Sequence, residues 1–403
     1  MKYSREEVMQ FVEEADIKFI RLAFCDVFGR QKNISIMPDE LPRAFEYGVA
    51  FDASSVDGFG NEAHSDLFLH PDPATLCILP WRPEHGAVVR MYSDITYPDG
   101  RIFECDTRSL LKKAVADAAD KDCRFHFGSE QEFYLFNLDE NGKATKIPYD
   151  EAGYMDIAPE DKGENIRREI CLTLEQMGIR PESSHHEYGP GQNEIDFRYS
   201  DALTAADNAV TFQTVVKVVA ARNGLAADFS AKPLAGRPGN GFHINMSVSS
   251  DSDPKMDHMI AGVLNRVRDM TVFMNPTENS YERFGQNRAP KYISWSPENR
   301  SQLIRIPAAT AQIFQRAELR SPDPGANPYL AFALMIYAGL EGIEQSATLP
   351  PSVNMNLYTA PPEVRAGLKQ LPESLTAARE AAQNSEFIKK YIPENIISIY
   401  CSR

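Results

Sequence analysis

Positive charge is scarce in this sequence of 403 residues. Lys and Arg together number 42 against 57 Asp and Glu, which leaves a formal net charge of -15. A protein that binds nucleic acid or an anionic membrane needs a basic surface to neutralise phosphate groups. The composition therefore predicts that neither nucleic acid nor a membrane is a partner, and it leaves room only for a local basic pocket.

Paired cysteines and long apolar runs are also missing. The six cysteines show no CxxC spacing, which argues against a zinc ribbon and against a disulfide framework. The longest apolar stretch, LAFALMIYAGL at 330–340, is too short to cross a bilayer, and the first residues are charged. We therefore expect a cytoplasmic protein without an export signal or a membrane span.

The length and the element pattern predict two domains of α+β class. Because 403 residues are many for one core, we predict a small domain over 1–105 and a larger one over 106–403. Helices and strands do not alternate regularly, which argues against a doubly wound sheet. After a capping box at Ser4 and Glu7, the predicted helices are 109–121, 163–177, 203–222, 257–274 and 327–345. The predicted strands are 17–24, 31–36, 75–79, 87–92, 124–136, 226–231, 241–248, 302–306 and 312–320.

The strand predicted at 124–136 carries two carboxylates on one face. Side chains two residues apart point the same way along a strand, so Glu130 and Glu132 lie side by side, together with His126 and Tyr134. Holding two carboxylates this close is costly unless a cation lies between them or one is protonated. The same sequence pattern is equally typical of a strand face that is exposed to solvent.

Two later strands also place polar side chains on one face. The segment GFHINMSV aligns His243, Asn245 and Ser247, and QIFQRAELR sets Glu318 between two arginines. A carboxylate flanked by guanidinium groups suits a centre that handles phosphate, metal and carboxylate together. A surface ladder of ion pairs is the ordinary alternative for such a strand.

The segment SHHEYGPGQNEIDF lies between these strands. Its Glu187 and Glu194 bracket a Gly-Pro turn that can bring both carboxylates toward one point. His185 and His186 suggest zinc, but the spacing is not that of a helical HExxH site, and a set rich in glutamate favours Mg²⁺ or Mn²⁺. The loop GRPGNG at 236–241 lacks the GK[ST] of a P-loop, so alone it predicts only a turn.

Seven segments, taken in order, carry a resemblance to a known family. They are FDASSVDGF (51–59), GSEQEFYLF, HHEYGPGQNEIDF, KPLAGRPGNGFH, NSYERF, NRSQLIRIP and RAELRSPDPGANPYLAF. The first is similar to the DGSS segment, and the second to the GPEPEFFLF strand, of the glutamine synthetase family. The set as a whole resembles that family from about residue 15 to residue 400.

The resemblance implies a fold, cofactors and partners. The fold is α+β, with a small N-terminal β-grasp domain and a large catalytic domain built on a curved antiparallel sheet. ATP is the implied co-substrate, with two or three Mg²⁺ or Mn²⁺ ions, and the other substrates are glutamate and ammonia or another amine. The implied assembly is a homo-oligomeric ring, a hexamer or a dodecamer, with active sites between neighbouring subunits.

The resemblance also implies a role for each matched residue. The implied metal ligands are Glu132, Glu187 and Glu194 for one ion and Glu130, His243 and Glu318 for another. The implied substrate-binding residues are Gly239, Arg283 and Arg320. The implied nucleotide-binding residues are Glu182, Ser247, Arg300, Arg305 and Arg316, with Phe59 contributed by a neighbouring subunit. The implied catalytic residues are Asp52, Arg300 and Arg320.

The implied reaction is phosphoryl transfer from ATP to the γ-carboxylate of glutamate, followed by attack of an amine on the γ-glutamyl phosphate. One segment departs from the family: the flap glutamate of its GYEAP segment aligns with Arg288 in GQNRAP. An arginine cannot act as a base near neutral pH, and its charge repels ammonium. Glu282 can replace the missing base only if the loop folds differently.

Four hypotheses therefore stay open. The chain is a glutamine synthetase, a γ-glutamyl ligase for another amine (methylamine, ethanolamine or a polyamine), a catalytically silent regulator, or a guanidino-phosphotransferase. The complete set of metal-type ligands argues against the silent regulator. The segment around Asp52 argues against the phosphotransferase.

Overall fold

The structure is a computed structural model that describes residues 3–60, 65–82, 85–251, 255–286, 288–309 and 315–402. The chain divides into two compact units, Met1–Leu110 with Leu172–Arg180, and Leu111–Cys171 with Pro181–Arg403. The domain boundary predicted between residues 105 and 106 stays a prediction. None of the described helices combines the length and the apolar character that crossing a membrane requires.

The first unit is built on a six-stranded sheet with the order β2-β1-β6-β4-β3, and β5 also pairs with β6. Strands β1 and β6 are parallel, and the other described pairs are antiparallel. Its elements are α1 (Arg5–Glu14), β1 (Phe19–Cys25), β2 (Gln31–Ile36), α2 (Leu41–Tyr47), β3 (Val49–Asp52), β4 (Asp66–Pro71), β5 (Cys77–Ile78) and β6 (Val88–Thr96). The predicted capping box is confirmed, because Glu7 N donates to Ser4 Oγ at 3.2 Å and Ser4 N donates to Glu7 Oε2 at 2.7 Å.

The second unit is built on a ten-stranded sheet around one long central strand. Its strands are β7 (Arg124–Leu138), β8 (Ala144–Pro148), β9 (Pro181–His186), β10 (Gln192–Phe197), β11 (Ser200–Asp201), β12 (Leu225–Asp228), β13 (Phe242–Ser249), β14 (Trp295–Pro297), β15 (Ile304–Ile306) and β16 (Ala317–Leu319). The order is β14-β15-β16-β13-β7-β10-β9, and β8, β11 and β12 also pair with β7. Only the β14–β15 pair is parallel among the described pairs of this sheet.

The remaining helices are α3 (Thr107–Ala119), α4 (Glu164–Gln176), α5 (Ala202–Arg222), α6 (Met256–Met274), α7 (Pro328–Glu344), α8 (Pro362–Ala366), α9 (Leu375–Gln383), α10 (Glu386–Tyr391) and α11 (Glu394–Cys401). Helix α7 begins at Pro328, whose fixed backbone suits the first helical position, and Asn327 caps it by accepting from Tyr329 N at 3.0 Å. Every residue of α7 from Pro328 to Gly342 is buried, so this helix belongs to the core of the unit.

The predicted helices are confirmed to within two residues at each end, whereas several predicted strands are shorter in the structure. The strand predicted at 75–79 is reduced to Cys77–Ile78, because Asp72 accepts from Ala74 N at 3.1 Å and holds the preceding residues in a turn. The strand predicted at 226–231 ends at Asp228, whose carboxylate accepts from Ser230 N at 2.7 Å. Of the strand predicted at 312–320, Ala317–Leu319 is observed, and residues 312–314 lie outside the described residues.

Strand register sets the polar side chains of the second unit opposite one another. On β10, Glu194 lies opposite Glu132 of β7, and on β13, His243 lies opposite Glu130. Residues paired directly across antiparallel strands have neighbouring Cβ atoms. The sheet therefore brings together side chains that are far apart along the chain, such as Glu130 and His243, which are 113 positions apart.

Candidate active site

A cavity of about 700 Å³ lies in the second unit. The predicted site residues that line it are Glu130, Glu132, Glu187, Glu194, Gly239, His243, Arg283, Arg300, Arg305, Arg316 and Arg320. Glu318 is fully buried beside these residues. Its carboxylate lies 3.7 Å from Nδ1 of His243, which lines the cavity. The structure thus brings together most of the residues that the resemblance singled out.

Four predicted positions lie elsewhere. Glu182 is exposed on β9, and Ser247 is half-buried on β13, where its hydroxyl bonds to Tyr199. Asp52 ends β3 of the first unit, and the hydroxyl and backbone of Ser54 lower its pKa. Phe59 is buried within the same unit against the ring of Phe103, with a centroid distance of 5.0 Å.

Two glutamates on β7 have different hydrogen-bond partners. Burial opposes ionisation of Glu130, but His243 (Nδ1, 3.3 Å) and Asn245 (Nδ2, 2.8 Å) overcome it, and the pKa of Glu130 falls well below its usual value. Glu132 accepts from Gly241 N at 2.7 Å, yet burial raises its pKa, and the charge of Glu187 adds to this effect. Protein donors therefore stabilise the ionised form of Glu130, whereas the donors to Glu132 do not offset the effect of burial on its pKa.

Glu194 is a buried carboxyl group of the cavity that lies close to other carboxylates. Burial raises its pKa well above the usual value, and the negative charges of Asp196 and Glu132 reinforce the effect. Burial also raises the pKa of Asp196 to about 7. Carboxylates crowded in this way need a cation if they are all to be ionised near neutral pH.

Among the described residues, four overlapping groups of side chains place their ligand atoms within 4.8 Å of one another, and one of the four joins Asp196 to Glu130 and Glu194. The first is the predicted set of Glu130, His243 and Glu318. The other predicted set divides into Glu132 and Glu194 with His243, and Glu187 and Glu194 with His185. The donors are carboxylate oxygens with imidazole, so they fit Mg²⁺ or Mn²⁺.

Glu318 differs from the other carboxylates because arginines grip both of its oxygens. Arg305 donates to Oε2 at 2.6 Å, and Arg320 donates to Oε1. The sequence pattern predicted Arg316 as a flanking partner, but the guanidinium of Arg316 donates from Nε to Asn245 Oδ1 at 2.9 Å. Arg305, and not Arg316, is the second arginine partner of Glu318, because β15 pairs with β16 and sets Arg305 directly opposite Glu318.

Gly239 and Arg283 form one end of the cavity. A Cβ atom at Gly239 would lie 2.4 Å from Ala231 O and 2.7 Å from Arg283 Cγ, so only glycine fits there without movement. Arg283 is buried and donates to Ser321 O at 3.0 Å and to Pro322 O at 3.3 Å. This end of the cavity is held by backbone contacts.

The sequence reasoning missed several residues that line the cavity, namely Tyr154, His185, Tyr188, Gln192, Asp196 and Lys232. The sequence pattern suggests only zinc for His185, whereas in the structure its Nε2 lies 3.3 Å from Glu187 Oε1. Gln192 joins strand and loop by donating to Glu132 Oε2 and to Gly239 O. A period-2 reading of β10 would have found Gln192 and Asp196 beside Glu194, whereas no local pattern marks Tyr154.

The second histidine of the pair has a structural environment. His186 is fully buried, with Nε2 2.8 Å from Asp150 Oδ1 and Nδ1 2.7 Å from Glu187 O. Asp150 also accepts from the backbone N–H groups of Gly191 and Lys162. Because these partners already occupy Asp150, the cluster fixes the turn that carries Glu187 and does not offer a free ligand set.

Comparison with known proteins agrees with this geometry. The glutamine synthetase catalytic domain matches residues 104–403, and the glutamine synthetase β-grasp domain matches residues 16–98. The chain therefore belongs to the glutamine synthetase family, with a β-grasp domain followed by a catalytic domain with a curved sheet, as predicted. Members of this family are ATP-dependent ligases, so the chain is an ATP-dependent carbon–nitrogen ligase.

Particular relatives sharpen this assignment. A glutamine synthetase of Clostridium saccharobutylicum is 43% identical over 99% of this chain and 94% of its own length. A glutamine synthetase of Methanosarcina mazei is 44% identical over 98% of this chain and 92% of its own length. Among solved structures, GmaS bound to ADP superposes with a TM-score of 0.88 at 29% identity, covering 97% of this chain and 93% of GmaS. Apo GmaS gives 0.87 at 30% identity, covering 98% and 94%.

Proposed function

We propose that the protein joins an amine to the γ-carboxylate of L-glutamate, using ATP and passing through γ-glutamyl phosphate. The observation that carries the proposal is that carboxylates, guanidinium groups and Gly239, where only glycine fits, line one cavity. A phosphoryl transfer needs its charge neutralised on the oxygens of the transferred group. An amino-acid substrate also needs cationic groups for its carboxylates.

Each set of residues has a role in this proposal. Glu130, His243 and Glu318, and the set of Glu132, Glu187 and Glu194 with His185, would hold divalent ions, which neutralise phosphate charge when bound. Arg283, Arg320 and Gly239 bind glutamate. Arg300, Arg305 and Arg316 meet the phosphates of ATP, and the likeness to GmaS, whose structure contains ADP, supports a nucleotide as ligand.

We extend the proposal to the assembly. Family members are oligomeric, and the resemblance implies a ring of six or twelve subunits with sites between neighbours. Asp52 would then act from the partner subunit's first domain, as the group that takes a proton from the amine. Size-exclusion chromatography with light scattering tests the ring, and mixing Asp52→Asn with Glu318→Gln subunits tests sharing, because shared sites regain activity in mixed rings.

Ammonia is the first candidate amine, since the relatives at 43% and 44% identity are named glutamine synthetases. A second candidate, a substituted amine, is favoured by Arg288. The resemblance predicts at this position a glutamate that acts as a base. Glu282 does not fill that role in this structure, because its side chain is exposed and does not line the cavity.

The test is ATP-dependent phosphate release with Mg²⁺, glutamate and a panel of amines, with the product identified by mass spectrometry. Saturable turnover with ammonium establishes a glutamine synthetase, and turnover only with a substituted amine establishes the second candidate. If no amine supports turnover while the Glu318→Gln variant behaves like the wild type, the ligase proposal fails.

A further inference from the structure

Arg288 lies in a cluster with two tyrosines at the edge of the cavity. Its Nη2 donates to Tyr188 Oη at 2.5 Å, and its guanidinium carbon lies 4.3 Å from the centre of the Tyr188 ring and 5.5 Å from that of Tyr154. The two tyrosine rings are stacked, with centroids 4.6 Å apart and planes 15° apart. All three residues line the cavity, so the cluster is part of its surface.

The backbone of Arg288 supports a functional interpretation. Its φ is +66°, in the left-handed region that side-chain-bearing residues rarely adopt. Met155, which follows Tyr154 and also lines the cavity, has φ +60°. Backbone strain of this kind persists where the surrounding structure holds a residue in place, and it is concentrated at ligand sites.

The positive charge of Arg288 has no carboxylate within 4.0 Å among the residues that the structure describes. Only one of its donors is used in the cluster, by Tyr188. A guanidinium has five N–H donors in a fork that matches a carboxylate with two parallel hydrogen bonds. The cluster therefore offers a planar anion a cationic partner between aromatic faces.

The same charge disfavours an ammonium ion, and the cavity holds no flap glutamate at this position to deprotonate one. An aromatic amine avoids both problems, because its nitrogen lone pair is delocalised into the ring and it is unprotonated at neutral pH. Its nitrogen attacks the carbonyl carbon of γ-glutamyl phosphate, the C–N bond forms, and the bond from carbon to the phosphate oxygen breaks. The departing phosphate keeps that electron pair, and the single proton released from nitrogen passes to the Asp52 carboxylate, which is proposed above as its acceptor.

We propose that Tyr154, Tyr188 and Arg288 form the amine subsite, and that it takes an aromatic amine bearing a carboxylate. The tyrosine faces stack on the ring of the amine, and Arg288 binds its carboxylate. This inference rests on the proposed ligase function and names the class of its second substrate. The aminobenzoates are the simplest members of that class.

The test compares 4-aminobenzoate with aniline, methylamine and ammonium as co-substrates of the wild type and of Arg288→Gln, with glutamate, ATP and Mg²⁺ at saturation. Aniline differs from 4-aminobenzoate only in the carboxylate, so the ratio of their kcat/KM values reports the contact with Arg288. We expect the wild type to prefer 4-aminobenzoate by about tenfold or more, the worth of one charge-assisted contact. In Arg288→Gln this ratio falls to about one, while kcat/KM for aniline changes by less than about threefold.

The matched control is Arg168→Gln, which removes an exposed arginine of α4 and should leave the ratio as in the wild type. The unfolding midpoint and ADP affinity of Arg288→Gln show whether the variant is folded. Saturable turnover with ammonium or methylamine, or equal use of aniline and 4-aminobenzoate by the wild type, would overturn the inference but leave the ligase function intact. An equal loss with every amine in Arg288→Gln would overturn it in favour of a phosphate contact. No ATP-dependent amide product with any amine would overturn the ligase function itself.

Discussion

Two parts of the cavity lining, the carboxylate end and the proposed amine end, are built in different ways. At the carboxylate end, Glu130, Glu132, Glu194 and His243 stand on paired strands, and register places them opposite one another. At the amine end, Tyr154, Tyr188 and Arg288 come from loops, and the Tyr188 side chain is 46% exposed. The first end carries the residues that the resemblance matches to the family's metal ligands, and the second carries Arg288, where the resemblance predicts a glutamate.

Under the proposed function, this difference allows one fold to keep a reaction and change a substrate. A side chain on a central strand cannot move without disturbing its neighbours on both sides, so its chemistry is held in place. A loop residue depends on fewer contacts and can be replaced with little effect on the sheet. Variants at the two ends should therefore fail in different ways.

The largest effect is expected at the carboxylate end. Glu318→Gln removes a carboxylate that accepts from Arg305 and Arg320, so it weakens both arginines and one predicted metal site. We expect phosphate release to fall about 100- to 1000-fold with every amine, as for the loss of a group that stabilises transition-state charge. Glu363→Gln, on the exposed face of α8, is the control. Activity within about threefold of the wild type would contradict this role.

Arg288→Glu should change the choice of amine and leave the first step intact. Reversing the charge removes the partner of an anionic amine and restores a carboxylate near the position of the family's base. We expect the ratio of kcat/KM for 4-aminobenzoate to that for ammonium to fall by about 100-fold, which corresponds to roughly 2.7 kcal/mol. ADP affinity, measured by calorimetry, should stay unchanged. A similar loss with both amines would remove the distinction between the two ends.

Gly239→Ala tests the contacts proposed for glutamate. The added methyl group meets Ala231 O and the Arg283 side chain, so Arg283 must move. We expect KM for glutamate to rise about tenfold, in line with an overpacking cost of about 1–3 kcal/mol, with kcat less affected. The control is Gly367→Ala, where the nearest atom to an added Cβ lies 3.7 Å away. An unchanged KM would show that glutamate does not depend on this contact.

Glu194→Gln should separate charge crowding from fold stability. Glu194 is destabilised when ionised, because it is buried near Asp196 and Glu132. Without divalent ions the variant should gain about 1 kcal/mol in free energy of unfolding, since it removes one repelling charge. Addition of Mn²⁺ or Mg²⁺ should raise the free energy of unfolding of the wild type more than that of the variant. Thermal unfolding with EDTA and with each ion measures both, and an equal ion effect in the two proteins would contradict Glu194 as a ligand.

The smallest effect concerns acid sensitivity outside the cavity. Burial lowers the pKa of His70 in the first unit, and the Asp94 carboxylate only partly offsets this. The folded state therefore binds fewer protons than the unfolded state, so stability is lost as the pH falls through the unfolded value of about 6.5. Between about pH 7.5 and 5.5, the wild type should lose more stability than His70→Gln, by less than about 1 kcal/mol because His70 is partly exposed. Denaturant titrations at both pH values check this, and equal losses would show that His70 does not contribute.

The sequence predicted which side chains share one face of a strand better than it predicted which strands pair with one another. Alternation along β7 places Glu130 and Glu132 on one face, and the structure confirms it. The grip of Arg305 on Glu318 depends on how β15 pairs with β16, and pairing between strands leaves no local trace in either segment. The same reason hides the bridge that Asn245 makes between Glu130 and Arg316. The stacking of Tyr154 on Tyr188 is hidden because two loops meet there.

The burial of α7 has a consequence for motion on long timescales. Amide protons from Tyr329 to Gly342 have no local route to solvent, so their hydrogen exchange requires opening of the whole unit. The loops that carry Tyr154, Tyr188 and Arg288 can open without it, and their amides should exchange many times faster. The amide exchange of α7 then provides a slow reference. If a ligand slows exchange in the loops alone, the change is confined to the proposed amine subsite. If it slows exchange in α7 as well, the whole protein has become more stable.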